Sequence, residues 1–125
     1  MTKLLALCFT AILAGFAIPA SAQEKQSLRL EQSIPLPGVK GRLDHMGIDL
    51  ERKRLFVAAA ANNTLEVVDL TGAKETNTIT GFNDTQDALF LGDDFNKLYV
   101  SSLDGHLRVF QGETFRLVQG LQDRA

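Results

Sequence analysis

Short apolar runs separated by polar turns follow one another along residues 46–119. The runs are rich in Val, Leu, Phe and Thr, and the separators are rich in Asn, Asp and Gly. This pattern is typical of antiparallel strands joined by hairpins, and no segment after residue 22 has a helical period. It predicts eight strands, at 46–50, 54–59, 64–70, 75–80, 87–92, 97–102, 106–111 and 115–119.

The pattern occurs twice. Leu55-Phe56-Val57 matches Leu98-Tyr99-Val100 at an offset of 43 residues, and the run 65–68 matches 107–110 at an offset of 42. A period of about 40–45 residues is typical of β-propeller blades, each of which has four strands. The sequence therefore predicts one blade at 45–81 and a second at 86–121.

Apolar residues occupy both sides of the central strands. Leu65 and Val67 point to one side of their strand, but Val68 on the other side is also apolar. Such a pattern indicates a sheet that is buried on both faces. It favours blades stacked between neighbours over an exposed meander or a sandwich, so the predicted fold class is all-β, with four-stranded antiparallel propeller blades.

The first 22 residues have the layout of a secretory signal peptide. Lys3 precedes the apolar run 4–18, and Ala20-Ser21-Ala22 supplies small residues for cleavage after Ala22. The run is shorter than the roughly 20 residues that a membrane-spanning helix needs. We therefore expect a periplasmic or secreted protein with no membrane span, and the single cysteine, Cys8, would leave with the signal.

Charge adds a further restriction on partners. The chain has a net charge of −2, and its basic residues cluster only at Arg52-Lys53-Arg54, in a predicted turn. Proteins that bind nucleic acid neutralise phosphates with a basic stripe. The sequence therefore predicts no nucleic-acid partner.

Several of these segments resemble a known repeat. Arg54–Val57, Asn62–Asp69, Lys74 and Thr78-Ile79, with a looser second copy in 97–110, are similar to the YVTN repeat of bacterial exported β-propellers (the YncE-like family). The resemblance implies a seven-bladed propeller, of which this chain holds about two blades. Residues 28–37 resemble the outer strand that completes the last blade. We therefore expect an N-terminal fragment, with the remaining blades of the same propeller as its partners.

Loops that join an outer strand to the next inner strand cross one face of a propeller, where ligands usually sit. Here these loops are 38–45 and 81–87, and both are polar. Arg42 can bind a carboxylate or phosphate, and His45 can exchange a proton near neutral pH. Alternatively, Asp44 and His45 cap the loop, with the imidazole bonded to backbone. The predicted ligand-binding residues are Arg42, Asp44, His45, Asp84, Gln86 and Asp87.

Other chemistry is not indicated. His45 and His106 have no partner at a metal-ligand spacing, and Asp93-Asp94-Phe95-Asn96 lacks the glycine and final glutamate of a calcium loop. The chain has no G-x-S-x-G elbow and no phosphate-binding glycine loop. We therefore predict no metal site and no cofactor, and we name no catalytic residue.

Three functions remain open at this point. We favour a non-enzymatic module that binds a small molecule or a protein through the loops on one propeller face, as the resemblance implies. The alternatives are a hydrolase of the propeller lactonase type and an inactive truncated fragment. Binding and hydrolysis would both use the loops that carry Arg42 and His45.

Overall fold

Two four-stranded antiparallel sheets make up the computed structural model, which describes residues 28–122. Within each sheet the strands are ordered as in the sequence, so every connection is a hairpin. The arrangement confirms the prediction of two propeller blades. Blade 1 contains β1 (Met46–Asp49), β2 (Arg54–Ala59), β3 (Thr64–Asp69) and β4 (Lys74–Ile79), and blade 2 contains β5 (Thr85–Leu91), β6 (Lys97–Ser102), β7 (His106–Gln111) and β8 (Leu117–Gln122).

The last strand begins later than the sequence predicted, at Leu117 instead of Phe115. Phe115 has a φ of 55°, and its N–H donates to the Gln111 carbonyl oxygen at 2.9 Å. This closes a turn that delays the strand. Residues 28–37 pair with neither blade in the described chain, so their pairing with another blade stays a prediction. The predicted signal peptide lies outside the described residues.

The hydrophobic core lies between the two blades. Phe56, Ala58, Leu65 and Val67 cover one face of blade 1, because cross-strand partners share a face. Phe82 completes the core between the blades. On the facing side of blade 2 the core residues are Ala88, Leu98, Val100 and Phe110.

Gly47 brings the inner strands β1 and β5 close together. It lies opposite Phe56 in the register of blade 1, and therefore on the face towards blade 2. A Cβ at this position would lie 2.3 Å from the carbonyl oxygen of Ala88, far inside van der Waals contact. Only glycine allows this approach.

Arg54 lies at one end of the same interface, opposite Asp49, the last residue of β1. Its guanidinium carbon lies 5.4–5.6 Å from the ring centroids of Phe56, Phe90 and Phe115, a distance at which the cation and the rings attract each other. Arg54 also donates two hydrogen bonds to Oδ2 of buried Asp49, from Nη2 at 2.7 Å and from Nε at 3.1 Å. Burial raises the pKa of Asp49, but the bonds from Arg54 and the Arg52 N–H outweigh it and lower the pKa. The carboxylate is therefore ionised inside the fold.

The two blades differ in how their faces are buried. In β3 the four central residues are buried on both faces, whereas residues of β6 alternate between buried and partly exposed. The central strands of blade 1 are therefore buried on both faces, whereas blade 2 has one uncovered side in the described chain. We call the uncovered side of blade 2 the open face, defined by Leu89, Tyr99, Ser101, Leu107 and Val109.

Candidate functional site

Backbone hydrogen bonds join the first polar loop to both blades. The Asp44 N–H donates to the Ala58 carbonyl oxygen at 2.8 Å, within blade 1. The next residue, His45, donates its N–H to the Gln86 carbonyl oxygen in blade 2 at 3.1 Å. Because β1 and β5 start side by side, the two loops that precede them meet at one end of the blade interface.

Two asparagines in the turn after β2 hold these loops in place. Asn62 exchanges two hydrogen bonds with the backbone of Lys40, at 3.2 and 2.8 Å. Asn63 has a left-handed φ of 59°, and its Oδ1 accepts the N–H of Asp84 at 2.7 Å. The sequence indicated only a turn here, because asparagine tolerates this conformation. The structural role of Asn62 and Asn63 depends on the neighbouring loops, which no local pattern reveals.

Five of the six predicted binding residues lie together, and we call them the junction cluster: Arg42, Asp44, His45, Asp84 and Gln86. Arg42 donates through Nη1 to Asp44 and through Nη2 to Asp84 Oδ1, the latter at 2.6 Å. Gln86 Nε2 donates to the same Asp84 oxygen at 2.9 Å. A guanidinium thus links carboxylates that come from different blades.

The imidazole of His45 is the most exposed group of the junction cluster. Its side chain is 72% exposed, whereas that of Asp44 is 16% exposed. Nδ1 lies 2.9 Å from Asp44 Oδ1, within hydrogen-bond distance. The imidazole therefore lies beside a carboxylate, whereas the capping alternative required it to bond to backbone. Only the backbone N–H of His45 bonds to blade 2.

Asp87 lies apart from the junction cluster. The register of β5 shifts between Thr85 and Asp87, and the side chain projects from the side opposite Ala88. There it lines a shallow cleft of about 200 Å³ with Leu89, Tyr99, Ser101 and Leu107. Asp87 therefore does not join the junction cluster, because successive side chains of β5 point to opposite faces and that of Asp87 points to the open face.

A second polar cluster, which the sequence analysis missed, lies around the turn after β6. Ser102 Oγ donates to Asp104 Oδ1 at 2.7 Å, and Arg108 donates to both residues, at 2.7 and 3.2 Å. Hydrogen bonds to its carboxylate lower the pKa of Asp104 strongly. The bond from Ser102 has the largest effect, those from Arg108 and the His106 N–H add to it, and burial acts in the opposite direction. Three donors thus hold this carboxylate, and their bonds connect the turn after β6 to β7. In the sequence, this cluster could have been recognised from the polar residues at every second position, Ser102, Asp104, His106 and Arg108.

Within residues 28–122, no three His, Cys, Asp or Glu side chains lie close enough to hold a metal ion. No helix in this part of the chain is long and apolar enough to cross a membrane.

Comparisons with known proteins concern the fold alone. No family model matches the chain, and neither does any curated protein. Solved propeller structures do match. Hydrazine synthase from Kuenenia stuttgartiensis has a TM-score of 0.59 at 15% identity, over 66% of this chain and 24% of that chain.

Two further propellers give similar values. Sqt1 from Saccharomyces cerevisiae has a TM-score of 0.57 at 10% identity, over 64% of this chain and 20% of that one. Apo AztD from Citrobacter koseri has a TM-score of 0.54 at 17% identity, over 65% of this chain and 23% of that one. The chain thus spans about a quarter or less of the solved structures it matches. With these likenesses, the two stacked sheets define the class of protein: about two blades of a β-propeller.

Proposed function

We propose that this chain is part of an exported β-propeller of the YVTN-repeat type that binds a ligand at the junction cluster. The ligand is one that donates hydrogen bonds, such as a protonated amine or a polyol. The observation that carries the proposal is that the junction cluster sets two carboxylates against one guanidinium, with Arg42 and Gln86 donating to carboxylates within the cluster.

Counting donors and acceptors supports this ligand class. Both Nη groups of Arg42 donate to carboxylates, and Gln86 Nε2 donates to Asp84. His45 Nδ1 lies 2.9 Å from Asp44 Oδ1, and the imidazole is exposed to solvent. Among the described residues, no donor reaches Asp84 Oδ2. Two carboxylates against one guanidinium leave a net negative charge, which favours cations over phosphates.

Export and the remaining blades belong to the same proposal. Residues 1–22 support export by their layout, and the repeat segments 54–69 and 97–110 support the YVTN assignment. A propeller ring needs at least about four blades. Further blades, expected from the same propeller, would complete the ring that blades 1 and 2 begin.

One observation favours a hydrolase as the second candidate. A carboxylate beside an exposed imidazole, as in Asp44 and His45, can orient the ring to accept a proton from water. A lactonase would need this arrangement together with groups that polarise the carbonyl. Hydrolysis of a simple lactone that is lost in His45→Ala would support this candidate over binding alone.

The binding test is an amide chemical-shift titration of the isotope-labelled chain with putrescine, glucose and inorganic phosphate as separate probes. We expect putrescine or glucose to shift the amides of 42–45 and 84–86, and phosphate to leave them unchanged. His45→Ala should abolish the shifts, whereas His106→Ala, at the chain's other histidine, should retain them. Shifts caused by phosphate alone, or shifts that persist in His45→Ala, would contradict the proposal.

A further inference from the structure

Asp84 connects the members of the junction cluster. Its Oδ1 accepts hydrogen bonds from Arg42 Nη2 at 2.6 Å and from Gln86 Nε2 at 2.9 Å. Its carbonyl oxygen accepts the N–H of Leu103 at 3.1 Å, and its own N–H donates to Asn63 Oδ1 at 2.7 Å. The geometry of the junction cluster therefore depends on how Asp84 is held.

The backbone of Asp84 has a conformation that needs support from its surroundings. Its φ is 53°, in the left-handed region, which is sterically unfavourable for residues with a Cβ. Such a conformation persists where surrounding contacts hold it. Leu103 holds the carbonyl group from within blade 2, whereas Asn63 holds the N–H from blade 1. Asn63 thus fixes the loop of blade 2 relative to blade 1.

The equivalent turn of blade 2 shows that the asparagine side chain is not needed for the turn itself. Asn63 and Gly105 each precede the third strand of their blade, with φ of 59° and 76°. Both donate their N–H to the carbonyl oxygen three residues earlier, Asn63 to Ala60 at 3.1 Å and Gly105 to Ser102 at 3.2 Å. Glycine alone therefore satisfies this turn, and the side chain of Asn63 adds a contact to the next loop.

We propose that Asn63 is a positioning residue of the ligand site. By accepting the N–H of Asp84, it directs the Asp84 carboxylate towards Arg42 and Gln86. The inference rests on the ligand site proposed above and adds a residue that acts on the ligand only through Asp84. Asn63 is exposed, so water can satisfy the freed N–H when its side chain is removed. Its loss should therefore affect binding more than stability.

Three variants separate the side chain of Asn63 from its backbone. Asn63→Gly removes Oδ1 but retains the left-handed backbone, which glycine accepts without strain. Asn63→Asp keeps an acceptor oxygen on a side chain of the same length. Ala73→Gly is the matched control, because Ala73 also has a φ of 53° and lies in the turn between β3 and β4, at the other end of blade 1.

The first measurement needs no ligand. NMR of the isotope-labelled chain follows the rotation of the Arg42 guanidinium about its Cζ–Nε bond, which is slow while both Nη groups donate to carboxylates. We expect faster rotation in Asn63→Gly, because Asp84 is no longer held towards Arg42. Asn63→Asp and Ala73→Gly should rotate as slowly as the unaltered chain.

The second measurement is the Kd for putrescine and for glucose, from separate titrations. We expect Asn63→Gly to bind about three- to tenfold more weakly than the unaltered chain, a factor that corresponds to one hydrogen bond. Asn63→Asp should recover the affinity. Glucose is uncharged, so recovery with glucose would not result from the added carboxylate. Asn63→Gly should unfold at nearly the same temperature as Ala73→Gly.

Several results would overturn the proposal. Asn63→Gly could leave Arg42 rotation and both affinities unchanged, or Asn63→Asp could fail to restore them. A much lower unfolding temperature for Asn63→Gly than for Ala73→Gly would show that Asn63 serves stability instead. If the unaltered chain binds neither probe, the ligand site itself is contradicted, and the Arg42 rotation alone decides whether Asn63 positions Asp84.

Discussion

Blades 1 and 2 share a strand register but not an environment. Phe56 of blade 1 is fully buried between the blades, whereas Tyr99 at the equivalent position of blade 2 lies on the open face and is partly exposed. Gly47 and Leu89 differ in the same way. The repeat thus determines how strands pair within a blade, while the neighbouring blade determines what each side chain contributes to stability.

The same contrast applies to charge. In blade 1, Asp49 pairs with Arg54 across the first hairpin, and the two side chains form a forked ion pair. In blade 2 the equivalent cross-strand partners are Leu91 and Lys97, which cannot form one. Blade 1 therefore contains a buried electrostatic contact that the second copy of the repeat has lost or never had.

The largest expected effect comes from the equivalent aromatic positions. Phe56→Ala should lower the free energy of unfolding by about 3–5 kcal/mol, because it leaves a cavity among Phe90, Phe115 and Arg54. Tyr99→Ala should cost only about 1–2 kcal/mol. Denaturant unfolding would measure both. If Phe56→Ala does not fold, Phe56→Leu should still cost more than Tyr99→Leu; equal losses would remove the difference between the blades.

A smaller loss is expected from Asp49→Asn, at roughly 1.5–3 kcal/mol, because the charged hydrogen bonds to Arg54 are weakened inside the fold. Lys97→Gln, at the equivalent of Arg54 in blade 2, is the matched comparison and should change stability by less than about 0.5 kcal/mol. A neutral result for Asp49→Asn would mean that the buried pair does not stabilise blade 1.

The Asp49 pair also gives stability a pH dependence. A carboxyl whose pKa is lower in the folded state stabilises the fold above its ordinary pKa of 3.8, and this contribution is lost as the pH falls through the lower folded-state value. The free energy of unfolding should therefore decrease in acid below about pH 4. The decrease should be shallower in Asp49→Asn. Parallel pH profiles for the two proteins would contradict the assignment.

Gly47→Ala tests the close approach of β1 and β5. The added Cβ would overlap the Ala88 carbonyl oxygen, and backbone cannot move aside as a flexible side chain can. We expect a loss of about 1–3 kcal/mol in thermal or denaturant unfolding. Leu89→Ala, at the equivalent position of blade 2, should cost less than Gly47→Ala, because Leu89 is 56% exposed and its truncation introduces no overlap.

The smallest effect is expected at the junction cluster. Arg42→Gln removes an ion pair to Asp84, but the Arg42 side chain is 53% exposed, and solvent weakens such pairs. The free energy of unfolding should fall by less than about 1 kcal/mol. A loss as large as that of Asp49→Asn would show that the junction cluster serves stability, and it would weaken the case for binding.

Most of the fold followed from local sequence features. Apolar runs and turn residues placed seven of the eight strands to within two residues, because hairpin pairing involves neighbouring segments. The exception, β8, depends on Phe115, whose ring packs edge-on against Phe56 at 6.2 Å. Phe115 is apolar and was therefore assigned to the strand, although its N–H closes the preceding turn on Gln111.

The site was less accessible to sequence reasoning. Loop position was enough to bring Arg42, Asp44, His45, Asp84 and Gln86 together, since the repeat places both loops at one end of the blades. Asp87 was grouped with them by loop position, but it lies within β5, where successive side chains point to opposite faces, and it points to the open face. The loop-holding role of Asn63 was likewise hidden, because its partner, Asp84, belongs to the other blade.

The contact between Gly47 and Ala88 has a geometric consequence for any ring built from this repeat. Gly47 lets the inner strand of blade 1 come within van der Waals contact of the Ala88 backbone in the inner strand of blade 2. Interiors are close-packed, so side-chain size sets how closely two inner strands approach. Leu89 occupies the position equivalent to Gly47, so a blade placed on the open face could not bring its inner strand as close to β5 as β5 comes to β1. Successive blades would therefore not be evenly spaced around the ring.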